Sequence, residues 1–201
     1  MTKTYKENQW DEFHVRTDDK NFVTSSGLDE ILKYHKLDAP RDKTVLEIGV
    51  GRGEAIKELS KHNKVIGCDV SEIALKSVES MCKTTLLSCN LKEAEPVDFA
   101  ISHLTLQHCH EQEVLRIIND VNLKDGAWFS FQFASLNLEK TKLSSLILSD
   151  LNQAMIYFYS YEKMLEIVKM SNKKMVRAAG PYWFDQPFSF EWNIFQVKNR
   201  L

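Results

Sequence analysis

Residues 45–53 read Val45-Leu46-Glu47-Ile48-Gly49-Val50-Gly51-Arg52-Gly53, and Asp69 follows at the end of the next apolar run. Thr44 to Gly49 is a short β-rich stretch, and Glu54 to His62 carries Ile56 and Leu59 on one helix face. The order is therefore strand, glycine turn, helix, then a second strand over Lys64–Asp69. Glycines at such a turn let a ligand approach the backbone. An acid about 20 positions after the first of them can hold both hydroxyls of a ribose. These features describe an adenosine site. The dinucleotide fingerprint needs a further glycine at position 54, where this chain has Glu54. An anion at the helix N-terminus disfavours a pyrophosphate, so a positively charged adenosine ligand without phosphate fits better.

Outward from this unit the alternation continues. Ser71 caps a helix whose inner side carries Ile73, Ala74 and Val78. Thr84–Ser88 and Val97–Ser102 read as strands, Glu113–Val121 as a helix, and Ala127–Phe131 as a fifth strand after the turn Lys124-Asp125-Gly126. Strands alternating with helices imply an α/β fold, a Rossmann-like doubly wound sheet with ligands at the carboxyl ends of its strands. An amphipathic helix is expected over 143–158 and another over Tyr161–Met170. Lys174–Ala179, a Gly180-Pro181 break, the aromatic run Tyr182-Trp183-Phe184 and a last run Phe190–Val197 follow. Two strands joined without a helix pair antiparallel at the sheet edge. The sheet is thus seven-stranded and mostly parallel, with an antiparallel edge strand and helices on both faces. At the other end, residues 1–42 include a helix over Leu28–His35 with Leu28, Ile31 and Leu32 inward.

The 201 residues fit one domain: a cover segment at 1–42, a ligand-binding core at 43–134, an inserted helix at 135–160, and a final helix with edge strands at 161–201. Lys and Arg number 26 and Asp and Glu 28, a balance of −2 that argues against nucleic acid as a partner. No apolar run reaches the roughly 20 residues needed to span a bilayer, and the polar opening is no secretory signal, so a cytoplasmic protein is expected. Cys68, Cys82, Cys89 and Cys109 form no Cys-x-x-Cys pair, and no metal site is expected. Oligomeric state is left open, a homodimer included.

At this point the chain resembles the class I S-adenosylmethionine-dependent methyltransferases of small-molecule type, whose first motif reads E/D-x-G-x-G-x-G. Glu47, Gly49, Gly51 and Gly53 match it. The resemblance implies S-adenosylmethionine as cofactor and S-adenosylhomocysteine as product. The glycine loop would hold the amino acid part, Glu47 would orient the loop, Asp69 the ribose, with Val70 beside the adenine. The family's third motif, usually Asp-Leu, is Asn90-Leu91 here, and an amide can make the same hydrogen bond. The fourth begins at Asp98 and runs through Ser102-His103 to His108, which adds Ser102 to the cofactor-binding set. The likeness is close over residues 40–134 and looser beyond.

Methyl transfer needs an in-line nucleophile, and for a hydroxyl acceptor a neutral histidine near the strand ends suits a general base. His103 and His108 are the candidates. The cluster with His110, Glu111 and Cys109 lacks metal-ligand spacing. The motifs of adenine, glutamine and cytosine methyltransferases are missing from Ser102-His103-Leu104-Thr105. What is left is a small-molecule or sugar-like acceptor, methylated on oxygen ahead of nitrogen. Trp10, His14, Tyr157 and Tyr182 are expected against it, among further aromatics (Tyr5, Phe13, Phe158, Tyr159, Tyr161, Trp183) and Arg16. The alternatives are a protein or peptide methyltransferase and a non-catalytic partner subunit of the same fold.

Overall fold

The computed structural model describes residues 5–16, 28–35, 37–87, 90–136, 157–183 and 190–200. The elements are α1 (Tyr5–Arg16), α2 (Leu28–His35), β1 (Thr44–Ile48), α3 (Glu54–Leu59), β2 (Lys64–Asp69), α4 (Glu72–Val78), β3 (Thr84–Leu87), β4 (Val97–Ser102), α5 (Glu111–Asp120), β5 (Leu123–Leu136), α6 (Tyr161–Met170), β6 (Lys173–Trp183) and β7 (Phe190–Asn199). They build one seven-stranded sheet in the order β3-β2-β1-β4-β5-β7-β6. β1 to β5 pair in parallel, and β7 runs antiparallel between β5 and β6. The antiparallel pair expected near the edge is β6 with β7.

Partners in register put their side chains on the same side of a sheet, so the ladder sorts the residues into two faces. One face carries Val45 and Glu47 of β1, Val65, Gly67 and Asp69 of β2, Phe99 and Ile101 of β4, and Trp128, Ser130 and Gln132 of β5. Leu28, Ile31 and Leu32 of α2, Ala55, Ile56 and Leu59 of α3, and Ala74, Leu75 and Val78 of α4 cover it. The opposite face carries Leu46, Ile48, Ala100, Phe129, Phe131 and Phe133, packed under Val114, Ile117 and Ile118 of α5 and Met164, Ile167 and Val168 of α6. All three phenylalanines are 0% exposed, as a strand covered on both sides demands.

Several elements differ from the sequence expectation. Helix α3 ends at Leu59, three residues short of His62. Ile73 is not inward but 37% exposed, and Leu75 takes its place, because the Ser71 cap sets the phase of α4 so that Ala74, Leu75 and Val78 face the sheet. α5 begins two residues early, at Glu111, capped by His110, and Val121 falls beyond its end. β5 is longer than Ala127–Phe131 at both ends. Its register shift against β4 between Val97 and Phe99 absorbs the Lys124-Asp125-Gly126 turn within the strand. Gly180-Pro181 does not break β6. A register shift between Ala179 and Tyr182 accommodates both residues, and an edge strand can dispense with the proline's missing N–H. Of the helix expected over 143–158, residues 143–156 lie outside the described residues, and Tyr157 and Phe158 are not helical. Among the described residues no helix is long and apolar enough to cross a membrane.

Candidate active site

The carboxyl ends of β1, β2 and β4 meet at the glycine turn. Gly49, Gly51 and Gly53 have φ of +82°, +52° and +79°, a left-handed backbone that L side chains rarely adopt. Close packing adds to the requirement at two of them. A Cβ on Gly49 would stand 2.0 Å from Thr105 Oγ1, and one on Gly53 would stand 2.3 Å from Val78 Cγ1. Gly51 differs: an added Cβ would meet nothing within 4 Å. Its backbone is bare toward open space, as a cradle for a ligand requires.

Asp69 closes β2 with both oxygens engaged. Oδ1 accepts from Ser71 N at 2.9 Å and Oδ2 from Gly51 N at 3.2 Å, so this carboxylate ties the cradle to the start of α4. Burial pushes its pKa up, while those two N–H groups and His14 pull it down. Glu47 lies one register step away on the same face, opposite Gly67. It is 5% exposed, its Oε2 has no hydrogen-bond partner, and burial together with the Asp69 charge pushes its pKa up to about 8. An unpartnered buried carboxyl oxygen beside a bare glycine turn fits the cationic adenosyl ligand expected from the sequence.

Helix α1 covers this corner. Asp11 Oδ1 accepts from Ser71 Oγ at 2.6 Å and from Ile73 N at 3.3 Å, which docks α1 on the first turn of α4. His14 adjoins Asp69 and Arg52, and burial lowers its pKa. The structure thus places His14 on the Asp69 side of the site. Trp10 packs edge-on against His108, with centroids 4.9 Å apart, and against Phe13 at 5.2 Å. His108 sits in a 3-10 turn, Leu106–His108, directly after β4, which brings α1 and the β4 end together.

His103 lies at that same strand end, on the Glu47 face. Its Nδ1 is 3.3 Å from Nε2 of His35, the last residue of α2, and His35 Nδ1 is 2.6 Å from Ser130 Oγ. Burial lowers His103 to about 4 and His35 to about 3, so both rings are neutral at pH 7. The Gln132 side chain, in a residue 2% exposed, lies within hydrogen-bonding reach of the His103 ring and pulls its pKa partly back up.

Other expected residues take structural places. Ser102 is fully buried and its Oγ donates to Ile48 O, fastening β4 to β1. Leu91 is a core residue at 0% exposure, Val70 is half-buried after Asp69, and Asn90 is exposed with its amide donating to Glu93. Asp98 lies at the amino end of β4, away from the site, holding Thr44 N and Lys124 Nζ. Tyr157 donates its N–H to Gln107 O and packs edge-on to His110, while Tyr159 donates its hydroxyl to Cys109 O. Tyr161 packs against Phe195. The backbones of Tyr5, Arg16, Tyr182 and Trp183 belong to α1 and β6, and their side chains lie outside the described residues.

Sequence reading missed His35, Asp11, Ser130 and Gln132. For the last two a signal existed: Phe129-Ser130-Phe131-Gln132-Phe133 alternates strictly in a strand whose two faces are both covered, where an apolar run is the rule.

Residues 45–126 match a family model described as a methyltransferase domain. No curated protein matches the chain in sequence. Among solved structures, a SAM-dependent methyltransferase from Methanosarcina mazei is 17% identical, with 85% of this chain and 97% of that one covered and a TM-score of 0.65. Magnesium protoporphyrin IX methyltransferase from Synechocystis PCC 6803, with bound SAH, is 17% identical over 94% of this chain and 92% of that one, at a TM-score of 0.61. Geranyl diphosphate C-methyltransferase from Streptomyces coelicolor A3(2), in complex with magnesium, geranyl diphosphate and S-adenosylhomocysteine, is 11% identical. It is covered to 99%, this chain to 98%, at a TM-score of 0.68.

Proposed function

We propose that this chain, whose residues 45–126 match a family model described as a methyltransferase domain, is a class I methyltransferase that uses S-adenosylmethionine and methylates a small molecule or sugar-like metabolite, on oxygen ahead of nitrogen. When bound, the cofactor supplies an electrophilic methyl group on a sulfonium. Glu47 and the turn of Gly49, Gly51 and Gly53, bare at Gly51, hold its methionine end, Asp69 the ribose hydroxyls, and Val70 and Asn90 flank the adenine, with Leu91 packed in the core behind them. The observation that carries the reading is the convergence at one sheet end of the open cradle at Gly51, the unpartnered Oε2 of Glu47 and the histidines that follow β4.

Of the two histidines, His108 is the better general base. A ring lowered to about 4, as His103 is, has little affinity for a hydroxyl proton at neutral pH. His108 stands under Trp10 of α1, so docking of that helix excludes water from the place where the proton moves. His108 would take the proton that a hydroxyl acceptor gives up on receiving the methyl group the bound cofactor would supply. Trp10 and Tyr157 supply apolar walls on either side of the Leu106–His108 turn.

Calorimetry with S-adenosylhomocysteine tests the cofactor half. Binding is expected, weakened at least tenfold by Asp69→Ala, and a folded protein that binds none would overturn the reading. A panel of polyols, sugars, phenols and amines, scored by S-adenosylhomocysteine release, tests the acceptor class. Turnover of amines alone would exclude O-methylation.

A further inference from the structure

The turn that follows β4 carries one residue whose backbone works against it. Leu104 has φ +53°, whereas five glycines and Asp42 account for every other positive φ among the described residues. A bulky leucine is an outlier there, and such a conformation persists only where the surroundings hold it. Three hydrogen bonds do so. Gln107, 4% exposed, donates its Nε2 to Leu104 O at 2.7 Å, and Thr105 Oγ1 donates to His103 O at 3.0 Å. Tyr157 N in turn donates to Gln107 O at 2.6 Å. Leu106, fully buried, anchors the turn in the core.

The Leu104 side chain does not serve the core. It is half-buried, yet it belongs to neither of the apolar clusters on the two sheet faces, nor to the described side chains packed against them. Its neighbours lead to either side. His103 reaches His35, which contacts Ser130 of β5, and Thr105 lies over Gly49 at the end of β1. Leu104 therefore stands at the carboxyl end of β4, between the cradle on β1 and β2 and the β5 half of the sheet, where a doubly wound fold places its ligands. Glycine or asparagine would take this backbone with less strain, so a leucine is unfavourable for the turn itself. What leucine adds is an apolar branch at the mouth of the site.

We propose that Leu104 is a specificity-determining residue for the methyl acceptor, selecting a hydroxyl compound with an apolar face beside its nucleophilic oxygen, such as a phenol, over an evenly polar polyol. The proposal rests on the methyltransferase reading and narrows its acceptor class. An aromatic face laid against the isobutyl group leaves water, which is favourable. A polyol hydroxyl pressed against the same group gives up a hydrogen bond to water and gains none.

The test is run on the whole chain with S-adenosylmethionine and two acceptors of the panel, one phenol and one polyol, with KM and kcat measured for each. The wild type is expected to favour the phenol at least tenfold in kcat/KM, through KM. Leu104→Asn is close to leucine in size and tolerates a left-handed backbone. It should melt within about 4 °C of the wild type and bring the two acceptors within about threefold, by raising the KM of the phenol. Leu104→Ala should give the same result in both readouts. S-adenosylhomocysteine affinity should stay within about threefold in each variant, since the cradle keeps its shape. A leucine that served only packing would answer in the opposite way: both substitutions would lower Tm by more than about 4 °C and leave the acceptor ratio as it was. That result, or a wild type that does not prefer the phenol, would overturn the proposal. A folded wild type that binds no S-adenosylhomocysteine overturns the methyltransferase reading and this proposal together, whereas binding and turnover without preference overturn this proposal alone.

Discussion

Gly51→Ala separates what the cradle does for the fold from what it does for the ligand. At φ +52° an alanine is strained by roughly 1–2 kcal/mol, and the smaller conformational freedom of its unfolded chain returns about 0.5 kcal/mol. With nothing within 4 Å of the new methyl group, no clash adds to this. The expected loss is about 1 kcal/mol, or a drop in Tm of about 2–4 °C for a chain of this size. Gly49→Ala is the control. Its methyl would fall 2.0, 2.5 and 2.7 Å from three atoms of Thr105, so overpacking of about 1–3 kcal/mol adds to the backbone strain and brings the loss to roughly 2–4 kcal/mol. Thr105→Gly on top of Gly49→Ala removes the clash and should recover part of that loss in a double-mutant cycle. Binding should rank the two differently. If the proposed cradle takes the cofactor, the Gly51 methyl intrudes on it, so S-adenosylhomocysteine affinity should fall at least tenfold, about 1.4 kcal/mol, in a protein that is nearly as stable as the wild type. Thermal melts and calorimetry on the same samples check both numbers. Wild-type affinity in a folded Gly51→Ala protein would refute the claim that this backbone takes the ligand.

Glu47 makes stability fall as pH rises. Its folded pKa of about 8 lies above the ordinary 4.5, so the folded state holds the extra proton, and its contribution is complete below pH 4.5 and lost as pH climbs through 8. The slope is about 1.4 kcal/mol per pH unit across that window, and Glu47→Gln should flatten it in urea titrations at pH 5, 6, 7 and 8; parallel curves for both proteins would contradict the assignment. Asp11→Ala removes the acceptor for Ser71 Oγ and Ile73 N that docks α1. Limited proteolysis should then cut within residues 5–16 at least tenfold faster at unchanged core stability, and an unchanged cleavage rate would show that Asp11 is not the anchor.

How much of this could be read in advance depends on how far apart the cooperating residues lie. The glycine turn, its acidic partner at Asp69 and the strand-helix rhythm are encoded within a few tens of consecutive residues. Local backbone geometry and periodicity carry them, so the fold and the cofactor chemistry were legible from the sequence. Element ends were less so, because caps and bulges depend on neighbours across the sheet. The Ser130 contact to His35 spans 95 positions and the Ser71 contact to Asp11 spans 60. Neither pair has a motif, since each arises only when strand crossovers set β5 beneath α2 and the entrance of α4 beneath α1. The sequence by itself pointed to an adenosyl ligand where the strands end. The tertiary structure decided which polar side chains meet at those strand ends, because a contact between residues far apart in the chain is a property of the packed set and of no single segment.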